Sequence, residues 1–399
     1  MPRRRTRTRR GRTRAEWVRV GVLTGVAVLA GAGITAVDLA ADASVIPEVA
    51  SRIDPDNSDA LTGMAEITAK DDLDVAHRYA RAAIARNPLD DRALLVAALA
   101  HTSINDVAGA DRLFALITRI TRRQALAETW MFDVAANHGD FAGAVDHADA
   151  ALRRHTADGD ILPVLIRITD TSAALPALAR KLAAQPPWRP AFFRAFAASK
   201  DGNAVALIDA LHQARGRAAP IEVAAMASQA IAAGSTANAR TVWLKGFGSP
   251  LPPLLSPTFE SLTQYGDFGW AIGARGAAQI VARLDDRGHA LEVPPSTTGK
   301  RPLRVVQQAM LLDRGRHVIT FEGRGVGGTR SAASVVVRCA GTDAVLGQAL
   351  VPSGRSWAPG GYSFIVPPTE CPIQKLVIEA VPNFVEGMTP TLIDNFRVE

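Results

Sequence analysis

The sequence predicts a multidomain α plus β protein, built from a transmembrane helix, an α-helical repeat solenoid and an antiparallel β-sandwich. Three observations predict this fold class. An uncharged apolar run occupies 20–37, small residues recur with a 34-residue period in the first half, and short β-rich segments separated by turns fill the last third. The 399 residues are enough for two or three domains of ordinary size.

The N-terminal region predicts a membrane anchor. Residues 1–16 form a basic tail, and the first 19 residues hold nine arginines against one acid, Glu16. The predicted span, 17–37, is about as long as a helix needs to cross ~30 Å of hydrocarbon, and Trp17 lies where an interfacial aromatic residue is expected. Arginines before the span and aspartates after it place the tail in the cytoplasm by the positive-inside rule.

These features predict a bacterial inner-membrane protein that crosses the membrane once and has most of its chain in the periplasm. A cleaved signal peptide is the alternative, because Ala41-Asp42-Ala43 fits a small-x-small cleavage site. Both interpretations export the body of the chain. The first 19 residues carry a formal charge of +8 and the whole chain +6, so the body is nearly neutral. A neutral body does not favour nucleic-acid binding.

A 34-residue period organises the first half of the chain. An aspartate stands four positions before an alanine in three segments that follow one another at this spacing. The pairs are Asp72 and Ala76, Asp106 and Ala110, and Asp140 and Ala144. The pattern resembles the tetratricopeptide repeat, in which an aspartate-led second helix carries small residues. Pro88 matches the proline of that family, whereas Arg122 and Thr156 replace it in the next two copies, so the repeats are degenerate. The resemblance implies a helical solenoid over 55–247 that binds protein partners.

Prolines and glycines at 248–257 end the helical region and predict a linker. The following domain, 258–399, contains eight candidate strands with short turns between them. The candidate strands are 279–284, 303–311, 317–323, 333–338, 345–350, 362–366, 376–381 and 392–398. Their number and length favour an antiparallel sandwich with jelly-roll-like connections.

Three stretches of this domain, 303–308, 312–319 and 392–398, resemble carbohydrate-binding modules with a jelly-roll fold. The resemblance implies that a polysaccharide is a ligand. Trp357 and Tyr362 border a segment rich in glycine and proline and are the predicted ligand-contact residues, because an exposed aromatic ring can stack on a sugar. Packing in the core of the sandwich is the alternative for both rings.

The two cysteines, Cys339 and Cys371, predict one disulfide, because an exported compartment permits disulfide formation. Two free thiols are the alternative. The glycines at 323–328 match a dinucleotide motif, but a predicted strand follows them where a nucleotide site requires a helix. The histidines lack a metal-binding spacing, and no nucleophile motif is present. We therefore expect no catalytic residue, no bound metal and no cofactor.

The predicted function is non-enzymatic. We expect a membrane-anchored periplasmic scaffold or assembly factor in envelope or exopolysaccharide biogenesis, which binds protein partners through its helical repeats. One alternative is a glycan-binding protein or glycan-active enzyme that uses the sandwich as a carbohydrate-binding module. An acid pair that faces a cleft would favour the enzyme. Another alternative is a structural protein whose sandwich only mediates oligomers.

Overall fold

In a computed structural model of the chain, the described residues are 46–154, 158–260, 265–273, 278–283, 288–296, 301–327, 330–382 and 388–399. The chain divides into two compact units, Met1–Thr156 and Ala157–Glu399. The described part of the first unit is helical, and the second unit contains further helices followed by two β-sheets. The later helices therefore belong to the same unit as the sandwich.

The described part of the first unit contains seven helices. They are α1 (Pro47–Ile53), α2 (Ser58–Thr68), α3 (Leu73–Arg86), α4 (Asp91–Ser103), α5 (Val107–Ile120), α6 (Ala125–Asn137) and α7 (Phe141–Leu152). Helices α2 and α3, α4 and α5, and α6 and α7 pack as pairs. The three aspartates of the 34-residue period cap α3, α5 and α7, where their carboxylates accept backbone N–H groups of the first turn. The three alanines in register with them are fully buried. The small side chains let the paired helices approach closely.

The second unit begins with six helices. They are α8 (Asp158–Ile168), α9 (Leu175–Ala183), α10 (Arg189–Ala198), α11 (Ala204–Gln213), α12 (Pro220–Ala232) and α13 (Thr236–Phe247). The side chains of Asn203 and Ser235 cap α11 and α13 by accepting backbone N–H groups of the first turn. Gly248 ends α13 in a left-handed conformation at φ 72°, the usual conformation of a glycine that terminates a helix.

A buried ion pair joins α10 to α12. Arg189 Nε and Nη2 donate to the two carboxylate oxygens of Glu222 at 2.6 Å each. The same guanidinium donates to the backbone carbonyls of Leu182 and Arg217 and lies 5.5 Å from the ring centroid of Phe193. Arg189 is 2% exposed, so these contacts replace the water that the charge loses on burial.

Ten strands follow in the described residues of the second unit. They are β1 (Ala271–Ile272), β2 (Gln279–Ala282), β3 (His289–Val293), β4 (Leu303–Met310), β5 (Gly315–Gly325), β6 (Ala333–Cys339), β7 (Val345–Leu350), β8 (Ala358–Val366), β9 (Gln374–Ala380) and β10 (Thr391–Val398). They form two five-stranded sheets with the orders β1-β4-β9-β6-β7 and β2-β3-β10-β5-β8. All pairings between neighbouring strands are antiparallel. Side chains from both sheets share one core, so the domain is a β-sandwich.

The predicted α plus β fold class with a C-terminal β-sandwich is confirmed, and each of the eight candidate strands overlaps a strand of the structure. The short strands β1 and β3 were not predicted. Residues 358–361, which precede the candidate strand 362–366, are the first half of β8. The boundaries predicted for the domains stay predictions.

The localisation prediction requires a correction. Among the helices that the structure describes, none is both long enough and apolar enough to cross a bilayer. The prediction of a single-pass inner-membrane protein is contradicted by this finding. The basic tail 1–16 and the predicted span 17–37 lie outside the described residues.

The Arg189–Glu222 pair generates a stability prediction. We expect Arg189→Met to lower the free energy of unfolding by about 3–5 kcal/mol, because Glu222 then stays buried without its counter-charge. The double variant Arg189→Met, Glu222→Leu is expected to regain most of this loss. Chemical denaturation followed by circular dichroism measures both effects, with Arg194→Met, an exposed arginine of the same helix, as the control. A double variant as unstable as the single one would contradict this account.

Candidate functional site

The sheet β2-β3-β10-β5-β8 has an inner face in the core and an outer face that carries polar side chains. Phe321 of β5 and Ile393 of β10 belong to the core. Side chains alternate along a strand, so the adjacent Glu322 and Asp394 point to the outer face. These two acids lie opposite each other in the register of β5 and β10. Carboxylates from two strands therefore meet on one face.

Arg283, which follows β2, brings a cation to these two carboxylates. Its Nη1 donates to Asp394 Oδ2 at 2.5 Å and lies 3.5 Å from Glu322 Oε2. Asn395 Nδ2 donates to the same oxygen of Glu322 at 2.8 Å. The side chains of Arg283 and Asp394 are each 2% exposed, whereas that of Glu322 is 40% exposed. Glu322 is therefore the member of this cluster that a ligand in solvent can contact.

A β-bulge gives the end of β10 its direction. The register between β10 and β5 shifts between Asp394 and Arg397. Asn395 lies inside this shift and has a φ of 54°, in the left-handed region that asparagine tolerates better than most residues. A bulge changes the direction of side chains along a strand. Here it lets consecutive residues, Asp394 and Asn395, bind Arg283 and Glu322 respectively.

Trp357 covers the buried cation. The guanidinium carbon of Arg283 lies 3.9 Å from the centroid of the indole ring, a close cation–π contact. Trp357 stands immediately before β8 and is half-buried. Its Nε1 is buried without a hydrogen-bond partner among the described residues, so the exposed part of the residue lies elsewhere on the ring. One face of the indole is therefore occupied by Arg283, and a ligand can contact only what remains.

The environment of Asp394 opposes its ionisation. Burial raises the pKa of this carboxyl, while the hydrogen bond and the charge of Arg283 act in the opposite direction. Asp394 Oδ1 is buried and has no hydrogen-bond partner in the described part of the chain. The charged form of Asp394 thus depends on Arg283.

The two aromatic residues predicted to contact a ligand lie on opposite faces of β8. Trp357 is at the outer face, whereas Tyr362 packs against the core together with Phe364. A Cβ added at Gly347 of β7 would lie 2.7 Å from the ring of Tyr362, so the ring approaches the backbone of the other sheet closely. Burial raises the pKa of the Tyr362 hydroxyl. This placement leaves Trp357 as the ligand-contact candidate of the two.

The predicted disulfide is confirmed. Cys339 at the end of β6 and Cys371 before β9 are bonded, with their Cα atoms 5.3 Å apart. Cys339 belongs to the sheet β1-β4-β9-β6-β7, and neither cysteine takes part in the outer-face cluster. Arg283 and Glu322 were not predicted from the sequence as site residues. Only Asp394 had a signal, as part of the closing segment that resembles carbohydrate-binding modules.

Glu322 and Asp394 form an acid pair, which is the feature that would favour a glycan-active enzyme. Glycosidases need two carboxyl groups that both reach the scissile bond, one of them as a proton donor. Here Asp394 is buried, and its Oδ2 is bound to the same Arg283 nitrogen that lies near Glu322. This geometry fixes the arginine and leaves Glu322 as the exposed member of the acid pair. The described residues also contain no group of three or more histidine, cysteine or acidic side chains placed to hold a metal.

A cavity of about 540 Å³ lies elsewhere in the second unit, between α13 and the sandwich. Arg240, which lines it, donates to Asp313 Oδ1 and to the carbonyl of Leu311, both at 2.8 Å. His317 Nε2 is bonded to the carbonyl of Asp313. These polar groups satisfy one another and attach α13 to the end of β5.

Comparison with protein-family models gives no match, and comparison with curated proteins gives no significant match. Solved structures do match the sandwich. TmCBM61 in complex with beta-1,4-galactotriose is 14% identical and has a TM-score of 0.27, with 37% of this chain and 98% of that one covered. A xylan-binding domain from Paenibacillus barcinonensis is 15% identical at a TM-score of 0.27, with 36% and 92% covered. A family 16 carbohydrate-binding module is 14% identical at 0.27, with 37% and 99% covered.

These neighbours of the sandwich are carbohydrate-binding modules. The matches cover little more than a third of this chain, and identities and TM-scores at this level carry no conclusion about its ligand. They leave the tetratricopeptide resemblance of the helical region untested.

The Arg283–Asp394 pair generates a prediction about pH. In Arg283→Met, the hydrogen bond and the charge of Arg283, which both lower the pKa of Asp394, are lost, so its folded pKa rises further above the unfolded value of about 3.9. The folded state then binds the extra proton, and stability rises as the pH falls through the folded pKa. We expect a loss of about 3–5 kcal/mol near neutral pH that shrinks as the pH falls through the raised folded pKa of Asp394.

Thermal melts at several pH values measure this effect. Arg316→Met, a change of an exposed arginine on the same strand as Glu322, is the control and should show a small loss that does not vary with pH. A loss for Arg283→Met that is the same at every pH would show that Asp394 is not the group involved.

Proposed function

We propose that this chain is a non-catalytic carbohydrate-binding protein that holds glycans at the outer face of its sandwich. One observation carries the proposal. A half-buried tryptophan and a half-exposed carboxylate lie side by side on that face, and both are fixed by the buried pair of Arg283 and Asp394. Sugars offer apolar C–H faces to a ring and hydroxyl donors to a carboxylate, and this pair of groups complements both.

The roles of the four side chains differ. Glu322 accepts hydrogen bonds from hydroxyl groups of the glycan, and the exposed part of the Trp357 ring contacts the sugar. Arg283 and Asp394 are positioning residues, because their side chains are only 2% exposed. Since Arg283 and Asn395 already hold Glu322, little side-chain freedom remains to be lost when a ligand binds. The proposal rests on this geometry and not on the low-scoring structural neighbours.

For the helical region, we propose degenerate tetratricopeptide repeats that hold a protein partner, so that the chain links a glycan to a second protein. The support is the 34-residue recurrence of capping aspartates and buried alanines over three helix pairs. Stacked helix pairs of this kind form extended binding surfaces. A role in polysaccharide biogenesis remains a prediction.

Substitution of Trp357 tests the glycan proposal. We expect Trp357→Ala to weaken binding about tenfold or more, because the ring contact with the sugar and the cover over Arg283 are both lost. Tyr362→Phe is the matched control, since its hydroxyl lies on the core side of β8, and it should bind as the wild type does. Isothermal titration of the full chain with galactan, xylan and polygalacturonate measures the affinities.

Circular dichroism melts establish that both variants are folded. The proposal is abandoned if none of these polysaccharides binds the wild type, or if folded Trp357→Ala binds with unchanged affinity. Equal losses for Trp357→Ala and Tyr362→Phe would also contradict the assignment of the outer face.

A further inference from the structure

Arg324 extends the candidate site along β5. It is two residues from Glu322 on the same strand, so both side chains point to the outer face. Gly323 pairs with Ala358 in the register of β5 and β8, which places Arg324 and Trp357 at neighbouring positions of the two strands. Cross-strand neighbours on one face are about 5 Å apart at their Cβ atoms. Arg324 is therefore within reach of a ligand that contacts Glu322 and Trp357.

The charge of Arg324 has no partner among the described residues. The guanidinium forms no ion pair there, and its Nε is buried without a hydrogen bond. Glu322 is close along the strand, but its Oε2 is taken by Arg283 and Asn395. Arg324 as a whole is half-buried and its Nε is buried, so the two terminal nitrogens of its guanidinium are the part that solvent can reach. A cation in this position is available for an anionic group.

The other cation of the face is already neutralised. Arg283 has Asp394 at 2.5 Å and Glu322 at 3.5 Å, and its face is covered by Trp357. A neutral sugar would satisfy Glu322 with a hydroxyl but would leave the charge of Arg324 without a counter-charge. A carboxylate matches the planar fork of an arginine and forms two parallel hydrogen bonds with it.

We infer that the glycan bound at this face is acidic. A sugar carboxylate pairs with Arg324, and hydroxyl groups of the glycan donate hydrogen bonds to Glu322. The inference rests on the proposed function and names the class of its ligand. In a polymer of uronic acids, carboxylates and hydroxyls alternate along the polysaccharide. One or two sugar units can therefore supply a carboxylate for Arg324 and a hydroxyl for Glu322. Arg324 is then the residue that sets the preference for acidic over neutral sugars.

Two polymers and two arginine variants test this inference with the full chain. Isothermal titration compares polygalacturonate with neutral galactan of similar length. We expect the wild type to prefer polygalacturonate about tenfold or more, and we expect Arg324→Gln to bind the two polymers with equal affinity. Arg316→Gln is the control, because it removes one positive charge from an exposed position on the same face of the same strand, opposite Ile365. It should keep the preference.

The possible failures are distinguishable. Equal affinity of the wild type for both polymers, or equal losses in the two arginine variants, would overturn the assignment of Arg324 and the acidic class. Galactan binding that Trp357→Ala weakens would at the same time uphold the glycan proposal. Absence of binding to both polymers would overturn the acidic class, and absence of binding to xylan as well would overturn both proposals.

Discussion

Burial of the ion pair between Arg283 and Asp394 is the constraint on which the outer face of the sandwich depends. Removing each charge from water costs several kcal/mol, and mutual attraction offsets this only with good geometry and additional hydrogen bonds. Arg283 therefore requires Asp394, Glu322 and the indole of Trp357 around it. Glu322 and Trp357, both proposed to contact the ligand, are thus held in place by their contacts with a buried cation.

Buried charges also give specificity to the helical parts. Alanine lets helices approach closely, but an alanine surface offers few shapes that define one packing arrangement. In the first unit, Glu128 of α6 is fully buried and lies 2.6 Å from His147 Nδ1 and 2.8 Å from Arg122 Nε. His147 is therefore a partner of a buried acid. In the second unit the pair of Arg189 and Glu222 has the same role.

Strands were predicted correctly where apolar and polar residues alternate regularly. They were missed where the pairing of the strand, and not its residue pattern, determines its conformation. The first half of β8 has the sequence Ala358-Pro359-Gly360-Gly361, which is typical of a turn. It is a strand because β8 is an edge strand that pairs only with β5, where a missing proline donor is tolerated. Gly360 is required there, since a Cβ would lie 2.6 Å from the ring of Phe321. The prediction of a membrane-spanning chain failed in the described residues.

The candidate site was predictable only in part, because its members come from distant segments. Trp357 was found from its residue type and its glycine- and proline-rich surroundings. Arg283 and Asp394 are 111 positions apart and meet only through the strand order β2-β3-β10-β5, which no local pattern contains. The bulge at Asn395 also shifts the register of β10, so strict alternation would assign the side chains after it to the wrong face.

The same geometry separates binding from catalysis at this face. A carboxyl that acts as a general acid must release and regain a proton at the scissile bond. Asp394 is buried against Arg283, so a change in its protonation would leave the cation uncompensated and destabilise the strands around it. Of the two acids, only Glu322 is exposed enough to contact a sugar, and it supplies one of the two carboxyl groups that glycoside hydrolysis requires. Stable burial of the pair thus supports the proposal of recognition over hydrolysis at this face.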